Sequence, residues 1–195
     1  MAFGIIVIIL AVIVIWIVSI YNRLVRFKNQ VKNAWSQIDV QLQRRYDLIP
    51  NLIETVKGYM TYEKGTLEAV IQARNQASSA RSQVNASGGP TEGSLKDLIG
   101  AESLLKGAVG NLFALAENYP QLHANETMQR LQEELSSTEN KIAFARQAYN
   151  DSVMGYNNAQ QQFPSSLMAT AFGHKPTDMY DLQDQEAKKP VSVKF

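Results

Sequence analysis

The chain reads as all-α, with a membrane-spanning helix at its N-terminus and one helical domain behind it. Two observations predict this. The stretch "AFGIIVIILAVIVIWIVSIYN", Ala2 to Asn22, carries no charged side chain before Arg23. Beyond it, apolar residues recur at three- and four-residue steps, and no segment alternates as a half-buried strand would.

The N-terminal run has the length of a bilayer. About 19 apolar residues at ~1.5 Å each reach ~29 Å, against a hydrocarbon core of ~30 Å, and a buried soluble helix seldom stays apolar on every face for so long. A cleaved signal peptide would need a basic start, a shorter apolar core and a small-residue cleavage site. No Lys or Arg precedes the run and Tyr21-Asn22-Arg23 is no such site, so the segment is expected to stay as an anchor. Trp16 and Tyr21 lie in its C-terminal half, and Tyr21 is placed for its ring to sit at headgroup level. Arg23, Arg26, Lys28 and Lys32 follow before the first acid, Asp39. That bias predicts a single-pass protein in the cell membrane, with the N-terminus outside and the rest in the cytoplasm.

A formal net charge of +1 argues against a nucleic-acid binder, so the basic cluster reads as a topology signal or a contact for anionic lipid. The absence of cysteine excludes disulfides, thiol catalysis and Cys-ligated metals, and does not choose a compartment.

The domain divides by periodicity. Phe27, Val31, Trp35, Ile38, Leu42, Ile49, Val56 and Tyr59 share one seam, which Leu67, Val70, Ile71 and Ala77 continue to the loop "NASGGPTEGS". Leu95, Leu98, Ile99, Leu105, Val109, Leu112, Phe113 and Ala116 mark a helix ending at Tyr119-Pro120. Its Gly100, Gly107 and Gly110 predict intrinsic weakness and a dependence on close packing. Asn125 is placed to cap the last long helix, whose stripe runs from Met128 through Leu135, Ile142 and Tyr149 to Tyr156 and stops at Phe163-Pro164. "SSLMATAFG" suggests one short helix more, and "HKPTDMYDLQDQEAKKPVSVKF" reads as a flexible polar tail. The expected division is an anchor at 1–22, a helical body at 23–163, and a short helix with tail at 164–195.

The stretch "RRYDLIPN", residues 44 to 51, breaks the pattern. Asp47 is a good N-cap, which would put Pro50 in a first turn where its missing amide hydrogen costs nothing. Against that, the apolar phase runs unbroken from Ile38 to Val56, as in one helix that passes through the proline. Geometry adds a condition. A helix from Leu48 to Ala86 would be ~58 Å long and would overrun the ~36 Å from Arg23 to Tyr46 into the membrane. Arg74 and Arg81 could not follow it into lipid. A turn at Arg44 to Tyr46 therefore needs a bend near Tyr21-Asn22, or a further break near Gly58 or Gly65.

The segment "YNRLVRFKNQVKNAWSQIDVQLQRRYDLIPNLIETVKGYMTYEKGTLEAVIQAR" resembles the opening signature of the LemA family. The similarity continues in "ENYPQLHANETMQRLQEELSSTENKIAFARQAYNDSVMGYN" and in the terminal "KPVSVKF", covering nearly everything after the anchor. It implies a membrane-anchored, antiparallel four-helix bundle, which favours a helix-to-helix turn at Pro50. It supplies no catalytic residues.

Two polar groups remain to be explained. Arg44, Arg45, Asp47 and Asn51 gather at the expected turn, and Glu139, Asn140, Arg146 and Asn150 line the last long helix. They could bind an anion or a partner, or close helix ends and fix the register of the bundle; the second reading is the more economical. Trp35, Tyr149 and Tyr156 read as core aromatics rather than a ligand cage. Catalysis finds no template. Carboxylate-bridged metal sites in helical bundles use Glu-x-x-His on two helices, whereas His123 and His174 both lack a Glu at that spacing. Phosphate-binding and nucleophile motifs are missing too. The expectation is a noncatalytic scaffold or adaptor without cofactors, in contact with the bilayer and a protein partner, with self-association through apolar helix faces as a further expectation. The competing expectation is a signal relay, which would need a partner as its sensor because only a residue or two precede the span.

Overall fold

A computed structural model describes residues 2–60 and 62–180, and every regular element among them is helical. The order is α1 (Ala2–Lys57), α2 (Lys64–Ala86), α3 (Glu92–Ala116), α4 (Pro120–His123), α5 (Glu126–Gln161) and α6 (Ser165–Ala171). Residues 181–195, including most of the expected tail and "KPVSVKF", lie outside the described residues.

The first third of α1 stands alone, with side chains from Phe3 to Val18 exposed except for the half-buried Ile17. This run is long and apolar enough to cross a membrane. By length and composition α3 passes the same test, but it buries Leu95, Leu98, Leu105, Val109 and Leu112 against the other helices. Burial on α1 begins at Ile20 and Leu24, and from Val31 onward the helix contributes one continuous stripe to the main core.

The expected turn at Arg44 to Tyr46 does not exist: α1 is a single helix that passes through Pro50. Leu42, Tyr46, Ile49, Leu52, Ile53 and Val56 are all buried, so core packing holds the helix in phase across the proline. Proline removes one donor, the one that would serve the carbonyl four residues back, which belongs to Tyr46. Arg74 of α2 takes that place, donating from Nε to the Tyr46 oxygen at 3.3 Å. Asp47 caps nothing and instead accepts a hydrogen bond from Gln43 Nε2 at 2.6 Å. The chain turns after Lys57, beside Gly58, one of the places considered for a further break, and buried Met60 plugs the connection.

Paired residues give the directions. Asp39 meets Arg81 and Trp35 meets Asn85, so α2 runs back along α1. Arg44 meets Glu134 and Trp35 stacks edge-on against Tyr149 at 5.9 Å, so α5 also runs against α1. Tyr119 donates to Glu63, which closes the α2–α3 hairpin at its far end.

Caps follow the sequence. Thr91 and Ser94 form a reciprocal capping box at α3, and the Asn125 side chain accepts from the Met128 amide at 3.1 Å as expected. Around Gly100, Gly107 and Gly110 an added Cβ would meet open space, so the apolar stripe rather than close approach supports α3. Close approach occurs at Gly155 of α5, where the Phe27 ring would lie 3.6 Å from an added Cβ.

Only the first seven residues of the expected flexible tail fall among the described residues, and these are held in place. Residues 174–180 lie along α5 as a strap, with Tyr180 buried in the main core. Asn157 exchanges two hydrogen bonds with Thr177, and Asn150 exchanges two with Tyr180 at 2.8 and 3.0 Å. Side-chain amides thus give an extended backbone the partners that a strand would otherwise supply.

Candidate functional site

The most chemically distinctive place in the body is a buried ionic cluster between α1, α3 and the strap. Glu102 sits in the apolar stripe of α3, between Leu98 and Leu105, at a position where that repeat calls for a hydrophobic side chain. Tyr46 donates its hydroxyl to one carboxylate oxygen, and Arg45 Nη1 lies 3.2 Å from the other. Arg45 and Glu102 are 7% and 8% exposed, which closes the pair off from solvent.

Burial dominates the electrostatics. It pushes the Glu102 carboxyl above its ordinary range, with Arg45, the Tyr46 hydrogen bond and Arg146 pulling the other way. Burial and the neighbouring Glu102 likewise push Tyr46 far up, so the phenol keeps its proton and acts as a donor. Arg146 lies over the Tyr180 ring at 5.3 Å, and its Nε is buried without a hydrogen-bond partner. Tyr180 itself is pushed up to about 12 by burial.

A second network joins α1 to α2. Arg81 forks onto both Asp39 oxygens at 2.6 and 2.8 Å and also donates to Gln43, while Asn85 donates to Asp39 at 2.8 Å. Burial raises the Asp39 carboxyl, but the hydrogen bonds from Arg81 and Asn85 and the Arg81 charge outweigh it and leave it low.

The residues singled out in the sequence scatter among these contacts. Arg44 pairs with Glu134 at 2.7 Å, half-exposed; Arg45 joins Glu102; Asp47 holds Gln43; and the Asn51 carbonyl accepts from Thr55 within α1. Glu139 pairs with Lys106 at 2.7 Å, and Lys106, ahead of opposing burial, draws its carboxyl low. Asn140 is exposed beside Phe144, Arg146 covers Tyr180, and Asn150 holds the strap. Trp35, Tyr149 and Tyr156 are core residues, the last bonding His174 Nδ1 at 2.9 Å. Trp16, Tyr21, Arg23, Arg26 and Lys28 are exposed along α1, as is Lys32.

Sequence reading missed Glu102, Tyr46, Asp39, Arg81 and Tyr180. Glu102 had a signal: an acid in step with a 3-4 apolar repeat. Among the described residues, no group of three or more His, Asp or Glu is placed to hold a metal ion. Arg45 and Tyr46 of α1 thus bond to Glu102 of α3, and Arg81 of α2 bonds to Asp39 of α1, each across a helix boundary.

The outer surface carries a different feature. Val40 of α1 and Phe144 of α5 are 60% and 74% exposed, and between the two helices runs a shallow groove of ~600 Å³ lined also by Ser36, Gln37, Lys141 and Ala148.

Residues 34–195 match the model of the LemA family. Magnetosome protein MamQ of Magnetospirillum gryphiswaldense is 26% identical over 174 residues, covering 82% of this chain and 64% of that protein. Magnetosome protein MamQ 2 of Paramagnetospirillum magneticum is 25% identical with the same coverage, 82% and 64%. Protein LemA of Metamycoplasma hominis is 27% identical over 148 residues, covering 76% of this chain and 63% of that protein. The chain therefore spans just under two thirds of the length of the curated relatives it matches.

Proposed function

The chain belongs to the LemA family, and we propose that it is a noncatalytic scaffold or adaptor, tethered to the cell membrane by the apolar first third of α1 with its body on the cytoplasmic side. The antiparallel pairings of α1 with α2 and α5, and of α2 with α3, support a four-helix bundle as that body. Arg23, Arg26, Lys28 and Lys32, clustered just past the apolar run, support the orientation.

The observation that carries the scaffold reading is the Val40–Phe144 face. Large apolar side chains on a rigid helical surface favour a protein contact, and tethering to one membrane concentrates copies of the chain beside each other. The occupant proposed is a second copy. With no native cysteine, Phe144→Cys gives a unique thiol for a bifunctional crosslinker in reconstituted membranes. Dimers from Phe144→Cys, and none from Ser79→Cys on α2, are the expected result. Equal yields at both positions would remove the face as an interface. Crosslinks formed only to another protein in native membranes would replace self-association with an adaptor role.

One observation favours a relay as a second reading. A single helix, Ala2–Lys57, joins the apolar run to the far end of the body without interruption. A rotation or shift of the span would be carried rigidly to Lys57. Inserting one alanine at Asn22 rotates the body by ~100° relative to the span. A relay would lose its output under that insertion, and a passive tether would not.

A further inference from the structure

We propose that the α6 region is a membrane foot: Phe163, Leu167 and Phe172 rest in the bilayer interface beside the point where α1 leaves it. The inference rests on the anchor reading above and adds a second lipid contact to it.

The position of α6 along α1 comes first. Ala169 and Ala159 pack on Ile20 and Leu24, which are the first buried residues after the exposed apolar run. Phe172 meets Tyr21 edge-on with ring centroids 4.8 Å apart. A span that starts at Ala2 uses up the hydrocarbon core, ~20 residues, at about Tyr21. Each headgroup layer adds ~5–7 Å, or about four more residues of helix rise. The docking site of α6 on α1 lies inside that layer.

Chemistry points the same way. The short helix buries Ser165 and Ala169, leaves Met168 half-buried against Ile20 and Leu24, and turns Leu167 outward at 59% exposed. Phe163 and Phe172, which flank it, are 80% and 51% exposed. Three large apolar groups turned outward within ten residues are unlike an edge facing water, which hides such groups. From Ser152 to Gly173 the sequence holds no acidic or basic side chain, although Arg23 and Arg26 stand exposed on neighbouring α1. A charge-free apolar ledge beside exposed arginines matches the acyl boundary and the phosphates above it. The lipid surface is the occupant that is continuous with the apolar run, through the Tyr21–Phe172 contact.

The test uses the full chain with single cysteines, each carrying an environment-sensitive fluorophore, in vesicles of phosphatidylcholine and phosphatidylglycerol with and without brominated acyl chains. Labels at Leu10→Cys report the span, at Leu167→Cys and Phe163→Cys the foot, and at Ser137→Cys the exposed side of α5. The expected result is a blue shift and loss of fluorescence to bromine at Leu167 and Phe163, approaching those at Leu10, with neither at Ser137. Foot labels that match Ser137 while Leu10 is quenched would overturn the foot and leave the anchor standing. An unquenched Leu10 would overturn both. A blue shift at Leu167 without bromine quenching, accompanied by energy transfer between labelled chains, would give the ledge to a second copy and overturn the lipid contact.

Discussion

Replacing Pro50 with alanine should stabilise this protein, and the gain should depend on a residue in another helix. Proline inside a helix costs ~3 kcal/mol relative to alanine, largely through the lost hydrogen bond and the ring's clash with the preceding turn. Here part of that loss is already offset, because Arg74 Nε serves the Tyr46 carbonyl that Pro50 leaves without a donor. A hydrogen bond from a charged donor contributes about 1.5–3 kcal/mol at good geometry, and at 3.3 Å the lower end applies. The net gain from Pro50→Ala is then about 1–2 kcal/mol, or roughly 2–8 °C in melting temperature for a domain of this size. Arg74→Met in the wild-type background leaves a buried carbonyl unpaired and should cost about 1–3 kcal/mol. In the Pro50→Ala background the amide gained by that substitution can serve the Tyr46 carbonyl, so the same change should cost far less. The coupling between the two sites should be about 1–2 kcal/mol. Helical circular dichroism during urea unfolding of the full chain in mild detergent reads all four corners of the cycle. Additive effects would show that Arg74 does not stand in for the missing amide, and a destabilised Pro50→Ala would mean that the helix does not run through this position as described.

Three further expectations follow from the clusters, and a fourth from the basic residues beside the span. Burial raises Glu102 above its ordinary value of 4.5, so its contribution to stability is full below that pH and is lost as pH rises through the folded value; Glu102→Gln should remove this slope. Burial raises Asp39 too, but Arg81 and Asn85 outweigh it and hold the carboxyl low, so its sign is opposite and Asp39→Asn should flatten the loss of stability on acidification. Asn150→Ala removes both hydrogen bonds to Tyr180 and should abolish hydrogen-exchange protection of the Tyr180 amide while the middle of α5 stays protected; unchanged protection would mean that the strap is held by packing alone. For orientation, Ser79→Cys should resist an impermeant maleimide in intact cells and react once the membrane is opened, and glutamine in place of Arg23, Arg26, Lys28 and Lys32 should scramble that result.

The helices and their buried stripes were legible because periodicity is a local property of the sequence. Met128 to Tyr156, and Leu95 to Ala116 apart from the partly buried Ile99 and Phe113, fell inside as read. Ile71 and Tyr59 did not, since each lies at the margin of its stripe and remains more than a third exposed. What could not be read were the places where a local rule is overruled from far along the chain. Pro50 looked like a stop because its missing donor is visible in the sequence, whereas the replacement comes from Arg74, 28 residues beyond the Tyr46 carbonyl it serves. The strap looked flexible because its composition is polar, whereas Asn150 and Asn157 satisfy its backbone from 20 to 30 residues away.

Tyr46 shows why these exceptions matter to how the molecule is built. Its hydroxyl binds Glu102 of α3, and its carbonyl, freed by Pro50, binds Arg74 of α2. Through one residue, α1 is keyed to two other helices at the level where its own hydrogen-bond ladder is interrupted. A ladder bond would have tied Tyr46 only to its own helix. Sliding α1 by one turn, ~5.4 Å, would strand the buried Glu102 carboxyl, the Arg45 guanidinium and the Tyr46 carbonyl together, and each is costly to leave unpaired. Apolar side chains along the same interface could repack after such a slip, since their contacts are not directional. We propose that the stretch "RRYDLIPN" sets the register of α1, as those contacts would require. By fixing that one helix against α2 and α3, it also fixes how far the body stands from the apolar run at the other end of the same helix.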